Sequence, residues 1–421
     1  MLPHRNHRTL ADAMSAFLLL LFATGSTLTL YVGIGGCDLS DQNCTQPTAA
    51  ETAISLVRCV GSHCDVRHVA YTPGLPSWLE LSHAGECLFA AQTNTNRILS
   101  FVADGGKLTL VSDVPSGGMY PVKLDRSADS KLLFVANYAD GKGTGASVAS
   151  FLVNREDCSL SPAHVMAFNR TSVNPTRQQG SHIHTVIVDR DASTSTSIGL
   201  MAADLGGDAI YALRADTADG RFSISSVSKA SSPGAGPRHI AVHPTLRVAY
   251  VVYEMANMLG VYAIRSPDGA LIPLQPPLPT LNVSSLPTCI GQPQSLSESC
   301  SKAAEVLVTP DGKSVFASNR GFGSPATNTI AGFRVDPSTG KLTAVSTTAC
   351  PRYPRGVALS SDATELLVAG QDDGSLVSLG IDPDVPGKLS PGVVLVAPWG
   401  GSLVTPSALV NAAGYPHHRW R

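Results

Sequence analysis

Charged residues are scarce in this chain of 421 residues. Asp, Glu, Lys and Arg make up 15% of it, against about 25% in an average soluble domain. The 30 basic residues nearly balance the 32 acidic ones, which leaves a formal net charge of −2. No basic run exceeds a short N-terminal cluster, so nothing would offset the phosphate backbone of a nucleic acid. We therefore expect no nucleic-acid partner.

The sequence also lacks the motifs of several enzyme classes. It contains neither the glycine pattern of a dinucleotide-binding fold nor that of a phosphate-binding loop, so no cofactor is predicted. The segment nearest to a G-x-S-x-G nucleophile turn is GASVA at Gly145, which lacks the second glycine and disfavours covalent serine chemistry. His182 and His184 lie two residues apart but have no placed third ligand, and CVGSHC at Cys59 does not match zinc-site spacing. No metal site is predicted.

What the chain has in abundance is turn residues and a repeat. Thirty-eight Gly and 29 Pro separate short apolar strands. Six units share a strand, a turn and a second apolar strand, and the second strands start 45, 67, 49, 66 and 51 residues apart at Phe89, Phe134, Met201, Tyr250, Phe316 and Leu367. A period of about 45 to 50 residues with several strands per repeat is typical of a β-propeller. The two long intervals indicate insertions around 155–180 and 276–301, which a propeller accommodates as loops.

A seventh unit can be assembled near the start of the chain. It uses Leu28–Ile34, Ala53–Arg58 and Val66–Thr72. The sequence therefore predicts an all-β fold, a seven-bladed β-propeller with four-stranded antiparallel blades, over residues 27–421.

Residues 1–26 have the order of a secretory signal. Arg5 and Arg8 precede the apolar segment Ala16–Ala23, and the small residues TGST follow. A signal anchor is the alternative, since about 20 apolar residues can span a bilayer. We expect a secreted or lumenal protein; the alternative is a single-pass protein anchored by this segment, with the propeller outside.

Cysteines and glycosylation triplets agree with that compartment. Three close pairs, Cys37/Cys44, Cys59/Cys64 and Cys289/Cys300, are predicted to form local disulfides. Cys87, Cys158 and Cys350 then remain unpaired, and Cys87 is interpreted as a small buried hydrophobic residue. Acceptor triplets for N-glycosylation begin at Asn43, Asn169 and Asn282 in predicted loops.

Polar residues recur where the paired strands of these units meet one edge. In an antiparallel hairpin, the start of the first strand and the end of the second lie together. Such residues are ordinarily solvated rim groups, but their repetition in register indicates a shared site at one mouth of the central channel. These residues are Arg238, Glu254, His184, Arg355, Arg320 and Asn137.

Several segments resemble one known family. GSHIHTVIVD (180–189), GAGPRHIAVHP (234–244), VVYE (251–254), AAEVLVTPDGKSVFASNRG (303–321) and YPRGVALS (353–360) closely resemble the lactonase family of seven-bladed propellers. That family includes propeller-type 6-phosphogluconolactonases and a 3-carboxy-cis,cis-muconate lactonizing enzyme. The resemblance extends from about Leu28 to Val396. It departs from the family pattern at Tyr253, before the glutamate, and at Gly370 in the last blade, where the family usually has asparagine.

The resemblance implies a catalytic set of His184, Arg238, Glu254 and Arg320. We expect His182, Asn137, Arg355 and Gln371 to bind substrate around it. The arginines would bind the acid group of a small anionic lactone or carboxylate. Glu254 would act as the general base, and His184 would supply a proton or a hydrogen bond.

Three functions follow from this interpretation. The first is hydrolysis of an anionic or sugar lactone, as the resemblance to 6-phosphogluconolactonase implies. The second is a lactonizing cycloisomerase acting on a carboxylated muconate, and the third is a noncatalytic secreted propeller that binds a partner or glycan. Because the signal predicts export and sugar-phosphate lactones are cytosolic, an extracellular lactone of another kind is favoured.

Overall fold

Seven four-stranded antiparallel sheets surround a central channel. The structure, a computed structural model, describes residues 27–35, 52–61, 63–141, 143–281, 301–321, 327–396 and 405–411. Each sheet is one blade, and the innermost strands of neighbouring blades contact one another around the whole ring. The predicted all-β propeller with four-stranded antiparallel blades is confirmed.

The first four blades occupy the N-terminal half of the described chain. Blade 1 contains β1 (Thr27–Gly35), β2 (Ala53–Val60) and β3 (His63–Tyr71), together with the C-terminal β28 (Thr405–Asn411). Blade 2 contains β4 (Pro76–Leu81), β5 (Cys87–Gln92), β6 (Arg97–Asp104) and β7 (Lys107–Pro115). Blade 3 contains β8 (Pro121–Arg126), β9 (Leu132–Asn137), β10 (Ser147–Val153) and β11 (Leu160–Ala167). Blade 4 contains β12 (Ile183–Asp189), β13 (Ser197–Asp204), β14 (Ala209–Asp216) and β15 (Phe222–Lys229).

Blades 5 to 7 follow with the same order of strands. Blade 5 contains β16 (Pro237–Val242), β17 (Val248–Tyr253), β18 (Met258–Ile264) and β19 (Leu271–Pro279). Blade 6 contains β20 (Ser301–Val308), β21 (Ser314–Gly321), β22 (Thr329–Val335) and β23 (Leu342–Ala349). Blade 7 contains β24 (Pro354–Leu359), β25 (Glu365–Gly370), β26 (Ser375–Gly380) and β27 (Val393–Val396). Two single turns of 3₁₀ helix, Thr93–Thr95 and Arg190–Ala192, connect strands.

The second strand of each blade is mostly apolar because both of its faces are covered. In β17, Tyr250 and Val252 pack in a cluster with blade 6, whereas Ala249 and Val251 pack in a cluster with blade 4. Successive side chains of a strand point to opposite faces, so a strand between two neighbours needs apolar residues at every position. The core is therefore a set of layers between blades, and it leaves the innermost strands to line the channel.

The turn between the first two strands has a repeated hydrogen bond. The hydroxyl of Ser127, Thr309 or Ser360 donates to the aspartate two residues later, at 2.6–2.7 Å. The residue after that aspartate is left-handed, with φ of 71° at Gly312 and 56° at Ala363. This short connection brings the start of the first strand and the end of the second to one end of the blade.

Blade 1 closes the ring by pairing distant parts of the chain. Strand β28 is its innermost strand and pairs antiparallel with β1, from Leu30 opposite Asn411 to Gly35 opposite Thr405. The sequence predicted the three N-terminal strands of this blade but not its fourth strand. Hydrogen bonding between the two ends of the repeat array removes the sheet edge that a ring would otherwise leave open.

The cysteine predictions are partly corrected. Cys59 and Cys64 form the predicted disulfide across the β2–β3 hairpin. Cys87 and Cys158, predicted to be unpaired, form a second disulfide between blades 2 and 3. They are 71 residues apart in sequence, yet their Cα atoms lie 5.5 Å apart because neighbouring blades pack face to face. Cys350 is a free cysteine.

Other predictions concern residues beyond the described ranges. Segment 1–26, the cysteines Cys37, Cys44, Cys289 and Cys300, and the triplets at Asn43 and Asn282 all lie outside them. Asn169 is described and is exposed on the loop after β11. Within the described ranges, no helix has the length and apolar character needed to cross a membrane.

Candidate functional site

A β-bulge recurs near the start of the innermost strand in six blades. In β16, Pro237 is opposite Tyr253 and His239 is opposite Val252, so Arg238 is the extra residue. The same register shift makes Ser77, Val122, His184 and Arg355 extra residues in blades 2, 3, 4 and 7, and a shift in blade 6 lies between Ala303 and Val306. A bulge re-aims side chains that a regular strand would send to alternate faces.

These bulges surround one cavity at the channel. It encloses roughly 360 Å³ of space that is partly open to solvent. Arg238 and His239 both line it, although neighbours in a regular strand would point apart. The lining includes the bulge residues Ser77, Val122, His184, Arg238, Glu305 and Arg355, together with Trp78 and His239.

Glu254, directly after β17, is the centre of a charged cluster. Its Oε2 accepts hydrogen bonds from Arg238 Nε at 2.9 Å and Arg320 Nη2 at 2.8 Å. Its Oε1 accepts one from Arg177 Nη2 at 2.6 Å. The Glu254 side chain is 4% exposed. Three guanidiniums therefore surround one buried carboxylate.

The electrostatics follow from this arrangement. Burial raises the pKa of Glu254, but Arg177, Arg320 and Arg238 lower it more, and it lies well below 4.5. Burial and the neighbouring Arg320 lower the pKa of Arg238 to about 9, so its guanidinium stays charged at neutral pH. The cluster of one carboxylate and three guanidiniums has an excess of positive charge.

Arg238 joins this cluster to the cavity. Its Nη1 donates to the backbone oxygen of Ala304 at 2.6 Å, while its Nε is bound to Glu254. Arg320 is held by the backbone oxygen of Ala303 and lies over the ring of Tyr353, 5.3 Å from the ring centroid. Both guanidiniums are fixed by backbone as well as by the carboxylate, which limits their rearrangement.

Two histidines flank Tyr138 beside the cluster. His182 stacks on its ring with centroids 4.3 Å apart, and His184 meets it edge to face at 5.3 Å. The Tyr138 hydroxyl accepts a hydrogen bond from Arg177. Burial lowers the pKa of His182 to about 4 and that of His184 well below 6.5, so both imidazoles are neutral at pH 7.

The structure brings together the four residues predicted to be catalytic. Arg238, Glu254 and Arg320 are in direct contact, and His184 lines the cavity with Arg238. Their positions at strand ends therefore correctly predicted that these side chains lie together, whereas their chemical roles stay predictions.

The four residues predicted to bind substrate are in different settings. Arg355 lines the cavity and its Nη1 donates to Gln371 Oε1 at 3.4 Å. His182 lies against Tyr138 and is not a cavity-lining residue. Asn137 is fully buried, and its Nδ2 donates to Ser116 O, just after the last strand of blade 2, and to Ser147 Oγ of blade 3. These contacts give Asn137 a structural position away from the cavity lining.

Sequence reasoning missed three residues of the site. Arg177 lies in the insertion before β12, where no strand register predicts its position. His239 and Glu305 come after the strand-end positions that were expected to form the site. Their side chains reach the cavity only because a bulge turns them toward it. The sequence signal that could have indicated the bulges is a proline as the first residue of four of the innermost strands, as in PRH at 237–239 and PRG at 354–356. Among the described residues, no group of three or more His, Cys, Asp or Glu could hold a metal ion.

Known proteins resemble this chain over most of its length. Residues 53–396 match the family described as "Lactonase, 7-bladed beta-propeller". A 6-phosphogluconolactonase of Formosa agariphila is 27% identical over 329 residues, covering 74% of this chain and 83% of that protein. A 6-phosphogluconolactonase of Bacillus subtilis is 28% identical over 276 residues, covering 65% of this chain and 70% of that protein.

A solved structure shares the architecture as well. The periplasmic gluconolactonase of Pseudomonas aeruginosa superposes with a TM-score of 0.71 at 25% identity, covering 91% of this chain and 99% of that one. The family match includes the inner strands and bulges of blades 2 to 7. The chain therefore belongs to the lactonase family of seven-bladed β-propellers.

Proposed function

We propose that this protein hydrolyses a lactone to its hydroxy acid. The observation that carries the proposal is a cavity lined by two guanidiniums and two imidazoles, beside a cluster in which three guanidiniums share one carboxylate. Opening a lactone by water moves negative charge to the carbonyl oxygen and then leaves a carboxylate. A site with excess positive charge stabilises both.

The two cavity arginines suit different tasks. Arg238 is anchored by Glu254 and Ala304, so its guanidinium is pre-organised to stabilise a developing oxyanion. Arg355 is paired with the neutral amide of Gln371 at 3.4 Å, so it is the better group to bind an acid group of the substrate. A neutral sugar lactone could use the same donors for its hydroxyls.

The contacts of Glu254 favour a positioning role over that of a base. A general base needs an oxygen or nitrogen that can reach the proton it takes, whereas both carboxylate oxygens of Glu254 already accept hydrogen bonds from guanidiniums. Glu254 also does not line the cavity. We assign it the task of orienting Arg238 and Arg320 and keeping their charges together.

His184 is placed to hydrogen-bond the substrate. It lines the cavity, and its Nδ1 is buried without a hydrogen-bond partner among the described residues. A neutral imidazole can donate from one ring nitrogen and accept at the other. We propose that His184 donates to the ring oxygen of the lactone as that oxygen leaves.

The substrate we favour is a sugar lactone met outside the cytosol. The N-terminal segment 1–26 has the features of a signal, which supports a secreted or lumenal location. The similar protein of Pseudomonas aeruginosa is named a periplasmic gluconolactonase, which supports the same class of substrate. The names of the similar 6-phosphogluconolactonases support a phosphorylated relative of it.

The test is an assay of the purified protein against three lactones. Acid release from gluconolactone, 6-phosphogluconolactone and a carboxymuconolactone would be followed by pH-stat, with the spontaneous rate subtracted. We expect hydrolysis of gluconolactone above the blank, and a loss of at least 100-fold in kcat/KM for Glu254→Gln through misplaced arginines.

Arg355→Met is the second variant, in case Glu254→Gln does not fold. It should raise KM for an anionic lactone more than it lowers kcat. Interconversion of carboxymuconate with its lactone would instead identify a cycloisomerase. Rates equal to the blank for all three lactones would overturn the proposal and favour a binding module.

A further inference from the structure

His239 and Glu305 form a buried pair in the wall of the cavity. His239 Nδ1 lies 2.7 Å from Glu305 Oε1, and both side chains are at most 4% exposed. The two residues come from the innermost strands of neighbouring blades, β16 and β20, and each lies at a bulge. Neither belongs to the Glu254 cluster described above.

The hydrogen bond with Glu305 fixes Nδ1 of His239 and leaves Nε2 to take part in the reaction. With Nδ1 donating to the carboxylate, Nε2 is the acceptor nitrogen of a neutral imidazole. Nε2 lies 3.5 Å from Arg238 Nη1, which is long for a hydrogen bond. The ring is wedged edge to face between Trp78 and His184, with centroids 5.8 Å and 5.0 Å away. Packing and the carboxylate together hold the orientation of the ring.

We propose that His239 is the general base of the lactonase reaction and that Glu305 is the residue that positions it. The inference rests on the proposed hydrolysis. It assigns to the site the one group that the Glu254 cluster does not supply, a proton acceptor that lines the cavity and whose orientation is set by a third group.

The reaction then balances with water as the only co-reactant. His239 Nε2 takes a proton from water while the water oxygen bonds to the lactone carbonyl carbon. Arg238, beside Nε2, stabilises the resulting oxyanion. When the intermediate collapses, the bond from the carbonyl carbon to the ring oxygen breaks, and its electron pair goes to the ring oxygen. That oxygen takes the proton from the His239 imidazolium while His184 donates a hydrogen bond to it, so His239 is neutral again and the product is a hydroxy acid.

The surroundings of His239 favour its neutral form. Burial is the main reason that its pKa lies well below 6.5, and neighbouring cations add to the effect. Burial raises the pKa of Glu305. The charged or titratable groups around the His239 ring come from five blades and are Lys123, His184, Arg238, Glu305, Arg320 and Arg355. The His239 ring is thus neutral, and able to accept a proton, at neutral pH.

His184 and Glu305 are the alternative bases within the cavity. Nδ1 of His184 has no hydrogen-bond partner among the described residues, so no carboxylate orients that ring. Glu305 Oε1 is occupied by His239 Nδ1 and by the backbone N–H of Val306 at 3.2 Å. Among these groups, only His239 combines a ring oriented by a carboxylate with an acceptor nitrogen that is held by nothing shorter than the 3.5 Å contact with Arg238 Nη1.

The experiment compares His239→Asn, Glu305→Gln and a control on the same strand unit. Asparagine can keep a donor near the position of Nδ1 but removes Nε2. His243→Asn is the matched control, because His243 is a buried histidine just after β16 that accepts from Thr245 and Leu246 N–H groups and does not line the cavity. Loss of gluconolactone would be followed by proton NMR from pH 4 to 8, with circular dichroism to verify folding.

We expect His239→Asn to lower kcat by 100-fold or more with little change in KM, and His243→Asn to stay within about threefold of the unmodified protein. Glu305→Gln should reduce kcat less. It should also shift the acid limb of the kcat profile to lower pH, because the carboxylate no longer stabilises the imidazolium, and a merely structural role would leave that limb in place.

Two outcomes would overturn the inference while leaving hydrolysis intact. Folded His239→Asn with kcat within threefold of the unmodified protein would exclude His239 as the base. A total loss in Glu305→Gln combined with an active His239→Asn would make Glu305 the base. An unmodified protein without hydrolytic activity would instead refute the proposed function, on which the inference depends.

Discussion

At each end of the second strand of blade 5, a buried carboxylate forms an ion pair, and the two clusters differ in charge. After β17, Glu254 is shared by Arg177, Arg238 and Arg320. Before β17, Arg247 binds Asp189 of blade 4 through both carboxylate oxygens, at 2.6 Å and 2.9 Å. The first cluster has excess positive charge, whereas the second has none, because Arg247 binds Asp189 and also lies 3.4 Å from the exposed carboxylate of Asp191. An ion pair that only joins blades needs one partner for each charge. The excess positive charge around Glu254 therefore indicates a site for an anion.

Exposure differs between the two in a way that matters for stability. The Arg247 side chain is 33% exposed, but Arg177, Arg238 and Arg320 are 12%, 2% and 6% exposed. An exposed guanidinium that loses its partner can be hydrated, whereas a buried one cannot. Removing the carboxylate should therefore have very different consequences at the two ends of the strand.

The largest effect is expected for Glu254→Gln. It leaves three largely buried guanidiniums without a counterion, and we expect a loss of about 3–5 kcal/mol in the free energy of unfolding. Asp189→Asn leaves an arginine that water can reach, and the loss should be about 2 kcal/mol or less. Chemical denaturation with the disulfides intact measures both. Equal losses would contradict the distinction between a charged site and a structural pair.

Replacing an arginine should reverse the order of the losses in the free energy of unfolding, with the larger loss now at the Asp189 end of the strand. Arg247→Met leaves the buried carboxylate of Asp189 with a backbone N–H of Ala192 at 3.3 Å and no guanidinium at bonding distance, and should cost about 3 kcal/mol. Arg177→Met leaves Glu254 with two guanidiniums and should cost about 1 kcal/mol. The same denaturation experiment applies. If Arg177→Met proves the more damaging change, the excess of positive charge around Glu254 is not real.

The comparison also shows how far the sequence leads. Arg238, Glu254 and Arg320 could be placed together because strand order alone fixes which end of a hairpin a residue reaches. Arg177 could not, since it lies in an insertion without strand register. His239 was hidden because regular alternation turns it away from Arg238, and the bulge that reverses this is a tertiary feature.

Contacts between residues far apart in the sequence could not be predicted, for a related reason. Close spacing correctly suggested the Cys59–Cys64 disulfide. Cys87 and Cys158, and the strands β1 and β28, become neighbours only when the ring forms. Repeat period thus predicts the blades, whereas contacts between blades need the closed ring.

Acidic pH should weaken the Glu254 cluster selectively. The folded pKa of Glu254 is depressed below its ordinary value of 4.5, so its stabilisation is complete above about pH 4.5 and is lost as pH falls toward the folded pKa. The difference in unfolding free energy between the unmodified protein and Glu254→Gln should shrink below pH 4.5, by up to about 1.4 kcal/mol per pH unit. Measuring the difference removes the titration of all other groups. A difference that stays constant down to pH 3 would mean that folding does not depress the pKa of Glu254, and that the carboxylate is not what the three arginines stabilise.

A modest effect is expected from adding a product. Gluconate carries the carboxylate that lactone opening would leave, and it should bind the site with excess positive charge but not the neutral Asp189–Arg247 pair. At ten times its dissociation constant it should raise the free energy of unfolding by about 1.4 kcal/mol, seen as a higher melting temperature. Arg355→Met should abolish this increase, because Arg355 lines the cavity and is bound to a neutral amide. Arg247→Met, which removes an arginine at the other end of the strand, should retain it. The same increase in both variants would assign gluconate to a general salt effect, and the positive charge around Glu254 would then need an explanation other than an anionic ligand.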